Sequence, residues 1–363
     1  MIRFTLMQSR VSLLGGAIAL GVVAVVLATT GPHLAHVYDA FESSCKVARD
    51  CSTALNPVLS SDKALQSALP FIVAVVPVLV GLFFGAPLIA RELETGAFRL
   101  AWTQSVTRKR WLAVKLGLVG IAAVAIGGLL TWIANWWASP LDALNQNRFG
   151  VVSFSLHGIA PIGYAAFAFA LGTAAGVLLR RTVPAMAITL AGFAAARVAV
   201  TYWVRPNLAS PARESLPLSV GSGPGFLYGG SQGTMNFNAY VQSGVPIPGV
   251  GQVVLTAPQV NIPNGWVYST TVVDKAGHAP TSHYLLRACP ALERLSKPQT
   301  SSASQLQACL TRLASAFHTV VAYQPPSRFW PFQWAEMGIF LAAALTLWDS
   351  PTGGFKTGSC DFR

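Results

Sequence analysis

A short segment of this chain concentrates charged and aromatic groups that could contact a partner. Charged residues make up only 10% of the 363 residues, yet positions 91–115, RELETGAFRLAWTQSVTRKRWLAVK, hold six of the 25 Lys and Arg residues and two of the 13 acids. The segment lies between two long apolar runs. A charged segment pinned between two such runs is a surface presented on one side of a bilayer. Its candidate partner-facing residues are Glu92, Glu94, Phe98, Arg99 and Trp102.

The basic triplet Arg108, Lys109 and Arg110 has a different predicted role. Thr107 is a suitable N-cap, which places the triplet in the first turn of the next helix. Cations there are disfavoured by the helix dipole by about 0.3–1 kcal/mol each. Anionic headgroups offset this, at about 1 kcal/mol per basic residue. We therefore expect the triplet to bind lipid phosphate, the alternative being an ordinary polar loop.

Two further charges fall inside apolar runs. Arg197 and Glu336 are costly in a membrane, where ionisable residues usually face a cavity or a partner. Glu336 has two candidate partners, Arg197 and Arg328. The alternative for Arg197 is that its head extends to the nearby interface beside Tyr202 and Trp203.

The sequence contains no site for nucleotide or metal chemistry. It lacks the G-x-x-x-x-G-K-[ST] phosphate loop, and residues 353–357 have the wrong spacing for one. His33 and His36 have no acid or Cys at a fitting distance, which favours an exposed pair over a metal site. We expect no cofactor in this chain and no enzymatic activity of its own.

Composition indicates a multi-pass membrane protein. Hydrophobic residues make up 53% of the chain and the mean hydropathy is +0.50, whereas soluble domains carry about 25% charged residues. Spanning a bilayer takes about 20 apolar residues. The predicted fold is therefore an all-α polytopic membrane protein with six helices, at Val11–Thr30, Leu69–Ala90, Leu112–Trp137, Ile159–Leu179, Val183–Val204 and Phe329–Trp348.

The charge distribution orients these runs. The net charge of +12 could indicate nucleic-acid binding, but the positive residues lie beside the apolar runs, as the positive-inside rule predicts for cytoplasmic loops. We expect no nucleic-acid partner, a cell-membrane location and a cytoplasmic N-terminus. Residues 1–204 would form spans one to five with a cytoplasmic loop at 91–111, residues 205–328 an extracellular domain, and residues 329–363 the sixth span and tail.

The extracellular domain is predicted to be mixed α+β or irregular. Strands are expected at Gln252–Leu255, Trp266–Val273 and His318–Tyr323, with an amphipathic helix at Ala303–Ala316. Four of the five cysteines fall in pairs within the predicted outside loops. Disulfides persist in oxidising compartments, so we predict the bridges Cys45–Cys51 and Cys289–Cys309, the alternative being four free thiols.

The sixth run is the weakest. Its uninterrupted apolar part, Met337–Trp348, spans about 18 Å as a helix, less than the ~30 Å core. Counting from Phe329 places Gln333 and Glu336 inside the membrane. The end DSPTGGFKTGSCDFR is polar. A truncated or frame-altered C-terminus is one hypothesis, and the other is that bilayer thinning or helix tilt absorbs the mismatch.

Two motifs resemble a known family. The stretch ARELETGAFRLAWTQSVTRKRWLAVK, and YQPPSRFWPFQW before the last run, resemble actinobacterial ATP-binding-cassette exporter permeases of the drug and polysaccharide exporter group. The plan of six spans with a large outside region between the last two is similar as well. In that family the loop between spans two and three is a coupling helix that docks on the ATPase. The resemblance implies that Glu92, Glu94, Phe98, Arg99, Trp102 and Gln104 contact that subunit.

The resemblance also implies the partners and the function. ATP would be bound by a separate cytosolic subunit, and two permease copies or paralogues would pair within the lipid. The expected function is the permease subunit of an ATP-driven exporter. The alternative is a non-transporting sensor or binding protein that acts through its extracellular domain.

Overall fold

The computed structural model describes residues 2–47, 63–95, 108–145, 148–151, 153–156, 158–220, 226–232, 235–243, 253–255, 259–290 and 303–354. The chain divides into two compact units. The helical unit comprises Met1–Asn145, Gly150–Leu208 and Phe329–Arg363, and the sheet unit comprises Gln146–Phe149 and Ala209–Arg328.

The helical unit is built from long apolar helices and two short segments. Helix α2 passes through a π-helical turn at Gly81–Gly85 into α3. Helix α7 continues through a second π turn, Val200–Val204, and a 3₁₀ turn, Arg205–Asn207. The helices are α1 (Ile2–Val47), α2 (Lys63–Val80), α3 (Ala86–Thr95), α4 (Arg108–Asn145), α5 (Ser153–Leu156), α6 (Ala160–Leu179), α7 (Thr182–Ala199) and α10 (Phe329–Gly354).

Five helical stretches in the described part of the chain are long and apolar enough to cross a membrane. They are Leu14–Ser43, Ser67–Glu94, Leu116–Pro140, Ala160–Leu179 and Thr182–Asn207. They correspond to the first five predicted runs, although α1 extends past Thr30 to Val47. Helix α10 is 26 residues long but is not among the five, because Gln333 and Glu336 lower its hydropathy. The protein is thus a multi-pass helical membrane protein.

Helix α6 is the centre of the helical unit. It contacts α2, α3, α4, α7 and α10, and 14 of its 20 residues are buried. Small residues allow this close packing. A Cβ atom on Gly172 would lie 2.4 Å from the carbonyl oxygen of Gly81, and a Cβ on Gly81 would lie 2.6 Å from the oxygen of Ala168. The backbones of α6 and of the π turn are therefore in direct contact.

Helix α1 packs beside α4 at one edge of the unit. The indole Nε1 of Trp137 donates a hydrogen bond of 2.9 Å to the Thr30 hydroxyl. This bond satisfies a buried indole N–H inside a cluster of aliphatic side chains from α1, α2 and α4, whose members include Leu27, Leu34, Leu69 and Val73.

The sheet unit contains strands and two helices. One sheet has the order β1–β8–β7, and a second has β2–β3–β4–β5 with β6 also paired to β4. The strands are β1 (Ala212–Pro217), β2 (Ser219–Val220), β3 (Phe226–Gln232), β4 (Met235–Ser243), β5 (Val253–Leu255), β6 (Gln259–Asn261), β7 (Trp266–Asp274) and β8 (Phe317–Gln324), and the helices are α8 (Ser282–Ala288) and α9 (Ala303–Ala316).

The central strand of the first sheet largely alternates buried and less buried residues. This strand, β8, pairs antiparallel with β7 from end to end and with β1 over residues 318–323. Val321 of β8 is buried against Leu216, Val260 and Ile262. The predicted elements at Trp266–Val273, Ala303–Ala316 and His318–Tyr323 coincide with β7, α9 and β8 to within two residues at each end.

The predicted Cys289–Cys309 disulfide is present. The two Cα atoms are 5.6 Å apart, and the bond joins the residue after α8 to the middle of α9. The predicted Cys45–Cys51 bridge lies outside the described residues: the side chain of Cys45 and all of Cys51 are among those not described.

We expect Gly172→Ala to destabilise the helical unit. Overpacking a tight contact costs about 1–3 kcal/mol, which exceeds the helix-propensity gain of about 1 kcal/mol from replacing Gly. The melting temperature of the purified protein in detergent should fall. Gly117→Ala is the matched control, because a Cβ there meets no atom within 4 Å, and its melting temperature should be unchanged or higher. Equal melting temperatures for both variants would contradict the backbone contact.

We expect Cys289→Ser to loosen the sheet unit. A disulfide that closes a loop of this order contributes about 3 kcal/mol, so limited proteolysis should cleave the 209–328 region faster in the variant. The control is Cys360→Ser, which should digest like the unchanged protein. Alkylation of both Cys289 and Cys309 before any reductant is added would show that the bridge is absent.

Candidate functional site

A buried carboxylate lies on the inner face of α10. Glu336 is 0% exposed, and it shares this face with Phe332, Gln333 and Phe340, which are also buried. Their spacing of three and four residues is that of one helical stripe. Trp330 and Trp334 are exposed. The polar residues that weaken α10 as an apolar run are thus turned toward the other helices.

Two arginines and a tyrosine surround the Glu336 carboxylate. Arg205, which is 1% exposed, donates from Nε to Oε2 at 2.9 Å and from Nη2 to Oε1 at 3.0 Å. Arg197 donates from Nη1 to Oε1 at 3.0 Å. The Tyr164 hydroxyl donates to Oε1 at 2.5 Å. A bidentate guanidinium–carboxylate pair is the strongest arrangement that side chains offer a buried acid.

Aromatic rings and a hydroxyl complete the surroundings of both guanidinium groups. Arg197 lies 3.9 Å above the ring centroid of Tyr164, and Arg205 lies 3.9 Å above that of Phe154. Arg197 also donates from Nη2 to the Ser155 hydroxyl at 2.9 Å. We call Glu336, Arg205, Arg197, Tyr164 and Ser155 the ion cluster. Its members come from α5, α6, α7, α10 and the turn after α7.

The π turn at Val200–Val204 explains how Arg205 reaches the cluster. At 3.6 residues per turn, side chains eight positions apart are offset by about 80°. A π turn, with its i→i+5 bonds, has more residues per turn and reduces that offset. Arg205 therefore faces the same way as Arg197. A regular α-helix would place it off this face. The predicted boundary after Val204 put Arg205 in the following domain, whereas it belongs to the helical unit.

Gln333 connects α10 to the start of α6. Its Oε1 accepts a hydrogen bond from the Ala160 backbone N–H at 2.9 Å, and its Nε2 donates to the Phe154 carbonyl at 2.7 Å. The first N–H groups of a helix have no partner within it, so Gln333 satisfies one of them. A Cβ on Gly158 would overlap the Gln333 amide, so a side chain there would displace that amide from these two hydrogen bonds.

The structure decides between the alternatives for the two predicted intramembrane charges. Of the two partners proposed for Glu336, it is Arg197 that pairs with it. Arg328 instead donates to the Gln324 side chain and to the Ser210 carbonyl within the sheet unit. The side chain of Arg197 is 16% exposed and bonded inward, so it does not extend its head away from the helices.

The charged segment is described only at its two ends. Helix α3 ends at Thr95, with Glu92 buried. Glu94 accepts a 2.6 Å hydrogen bond from the hydroxyl of Thr182, the first residue of α7. The end of α3 and the start of α7 therefore meet at one end of the helical unit.

The remaining residues of that segment keep their predicted roles untested. Arg108, Lys109 and Arg110 form the first turn of α4, as expected. Their side chains lie outside the described residues. So do the four predicted contact residues in the intervening stretch, Phe98, Arg99, Trp102 and Gln104.

No alternative catalytic or metal site emerges from the described residues. Among them, no group of three or more His, Cys, Asp and Glu could hold a metal ion. Residues 229–233 have the Gly-x-Ser-x-Gly pattern of hydrolase nucleophiles. That pattern requires a strand-to-helix turn, whereas Ser231 lies within β3, which pairs as a hairpin with β4.

Residues 17–205 match the model of a family described as "ABC-2 membrane transporter related". The match covers more than half of the chain. It includes α2 to α7 and four members of the ion cluster, and it ends at Arg205, so that Glu336 and residues 209–328 of the sheet unit lie beyond it. Among curated proteins and among solved structures, the chain has no significant match.

Exchanging the charges of Arg205 and Glu336 should test the cluster. Leaving a buried charge unpaired costs about 3–5 kcal/mol, so Arg205→Glu and Glu336→Arg should each lower the yield of monodisperse protein. The double variant should recover part of that yield, because the opposite charges again face each other. Arg181→Glu at the exposed start of α7 is the control. A double variant no better than the worse single would contradict the pairing.

Proposed function

Because the chain belongs to the ABC-2 membrane transporter related family, we propose that it is the permease subunit of an ATP-driven exporter. It would work with a separate cytosolic ATP-binding-cassette ATPase. The observation that carries the proposal is the family match over residues 17–205, which takes in the charged segment 91–111 and the helices on both sides of it. The sequence has no phosphate loop of its own, so the ATPase must be a partner.

The bond between Glu94 and Thr182 supports a path for mechanical coupling. Force applied to the 91–111 segment would act directly on α3 and, through this bond, on the start of α7. Both helices pack on α6. The π turn at Gly81–Gly85 separates α3 from α2, and such turns often mark functional sites. In this mechanism α3 would tilt relative to α2 at this turn.

At the other end of α7, the ion cluster joins α7 to α10, and we call this connection the α7–α10 latch. Arg197 and Arg205 hold α10 through Glu336, while the start of α7 receives the force from the charged segment. In this mechanism movement of α7 alters the contact between α7 and α10. Glu92, Glu94, Phe98, Arg99, Trp102 and Gln104 would dock on the ATPase, and Arg108, Lys109 and Arg110 would hold the segment at the lipid headgroups.

The topology completes the proposal. The 91–111 segment and the N-terminus would be cytosolic, α10 would be a sixth span, and the sheet unit would be extracellular, where the Cys289–Cys309 disulfide is stable. A second permease copy or a paralogue would complete the substrate path. Export as the direction rests on the family resemblance.

Two variants should distinguish docking on the ATPase from transmission of force to the helices. Arg99→Glu, tested in the chain co-expressed with a candidate ATP-binding-cassette ATPase, should reduce ATPase co-purification at least tenfold, because it reverses a charge at the docking surface. Thr182→Val should leave the complex intact and lower transport-dependent ATP hydrolysis, because it removes only the hydroxyl that binds Glu94.

Arg213→Glu is the control for charge reversal, since Arg213 is exposed in the sheet unit. An ATPase complex that survives both Arg99→Glu and Trp102→Ala would overturn the assignment of the docking segment. A stable chain with no associated ATPase, and with a ligand bound by residues 209–328, would favour the sensor or binding-protein alternative.

A further inference from the structure

The ion cluster holds more positive than negative charge. Two guanidinium groups, of Arg197 and Arg205, face a single carboxylate. Among the described residues, Glu336 is the one acid that pairs with either arginine. The other described acids of the helical unit with an assigned exposure lie in α1 and α3, and Glu94 is bonded to Thr182 at the opposite end of α7. The cluster therefore carries a net charge of about +1, which is costly away from water.

The surplus charge resides on Arg197. Arg205 is almost fully buried and gives two hydrogen bonds to Glu336. Arg197 gives Glu336 one hydrogen bond and gives another to a neutral hydroxyl, that of Ser155. It also retains 16% of its side-chain surface. Of the two arginines, Arg197 is thus the less neutralised and the more accessible.

Several apolar side chains near Arg197 on the same helix are exposed. Leu190 and Val198, which flank it on α7, are exposed, as are Tyr202 and Trp203 one to two turns further on. Exposed Trp and Tyr residues are enriched where a membrane meets water. Trp330 and Trp334, in the first two turns of α10, are exposed as well. A ligand would therefore reach Arg197 laterally, near headgroup depth, along an apolar helix face.

We propose that Arg197 is the recognition residue of a lateral binding site for the acidic headgroup, carboxylate or phosphate, of an amphiphilic molecule. The guanidinium fork suits both groups. The Tyr164 ring beneath it and the Ser155 hydroxyl beside it fix its plane. The apolar face of α7 would bind the hydrocarbon part of the ligand.

The Glu336 carboxylate already occupies part of the proposed site. Glu336 occupies one nitrogen of the Arg197 guanidinium, so an incoming anion competes with it for that group. Arg205 would keep its bidentate bond and hold α10 in place. If this anion is cargo, its arrival would loosen the α7–α10 latch at one of two points. That last step rests on the proposed function, whereas the binding site does not.

The test uses the full-length chain in detergent without any ATPase. Thermal stability is measured with added phosphatidylglycerol and with phosphatidylcholine of the same acyl chains, because a ligand that binds the folded state raises the melting temperature. We expect stabilisation by phosphatidylglycerol at concentrations at least tenfold lower than by phosphatidylcholine. Arg197→Gln should abolish that difference, and it should fold because Arg205 and Tyr164 still bind Glu336.

Two further variants distinguish recognition from a structural role. Glu336→Gln should strengthen phosphatidylglycerol binding several-fold, because the competing carboxylate is lost, whereas a merely structural role for the cluster would weaken it. Where Glu336→Gln does not fold, Arg197→Lys should bind several-fold more weakly than the unchanged chain, since it keeps the charge and loses the fork. Arg181→Gln is the matched control and should bind normally.

A second arm distinguishes the two sources of the headgroup. A single-chain fatty acid that displaces phosphatidylglycerol, and that stimulates ATP hydrolysis once the ATPase is added, indicates a transported amphiphile. Displacement without stimulation indicates a bound membrane lipid. Equal stabilisation by both phospholipids, unchanged in Arg197→Gln, would overturn the site. Absence of any ATPase complex would overturn the proposed function and leave the binding result intact.

Discussion

The helical unit depends on how one buried carboxylate is neutralised. Glu336 is fully removed from solvent, and an isolated ionised carboxylate in such a place is unfavourable by several kcal/mol. Arg205 and Arg197 offset that cost with three hydrogen bonds, and Tyr164 adds a fourth. These donors come from elements that precede α10 by more than 120 residues. Helix α10 is thus held by side chains from segments that precede it in the sequence.

Close packing around α6 makes that placement possible. The carboxylate can meet both arginines only if α7, α10 and the α5 segment approach one another around Tyr164. Alanine and glycine on α6 permit this, as the contacts of Gly163 with the Met337 backbone and of Gly172 with Gly81 illustrate. Without a hydrophobic driving force between helices in lipid, such contacts and interhelical polar bonds are what hold a bundle together. In this unit the close backbone contacts and the polar bond from Tyr164 both involve α6.

The sequence predicted those parts of the structure that follow from local periodicity. The five apolar stretches, strands β7 and β8 and helix α9 each have a regular pattern of their own, and Cys289 and Cys309 are neighbours in one region. Arg205 escaped prediction because its direction depends on a π turn, and nothing in Val200–Val204 distinguishes that turn from an ordinary helix. A second arginine just past the end of an apolar run that already contains one is the signal that could have indicated the pair.

Gln333 and Glu336 show why polarity within an apolar run has to be judged by helical face. Averaged along α10, they lower its hydropathy and make it resemble a defective span. On the helix they share the face that meets α5 and α6, where the Ala160 N–H and the Phe154 carbonyl need partners. The exposed face keeps its tryptophans and aliphatic residues. A helix built in this way is stable beside its partners and weak alone, because the polar groups on its buried face find their hydrogen-bond partners only on the neighbouring elements.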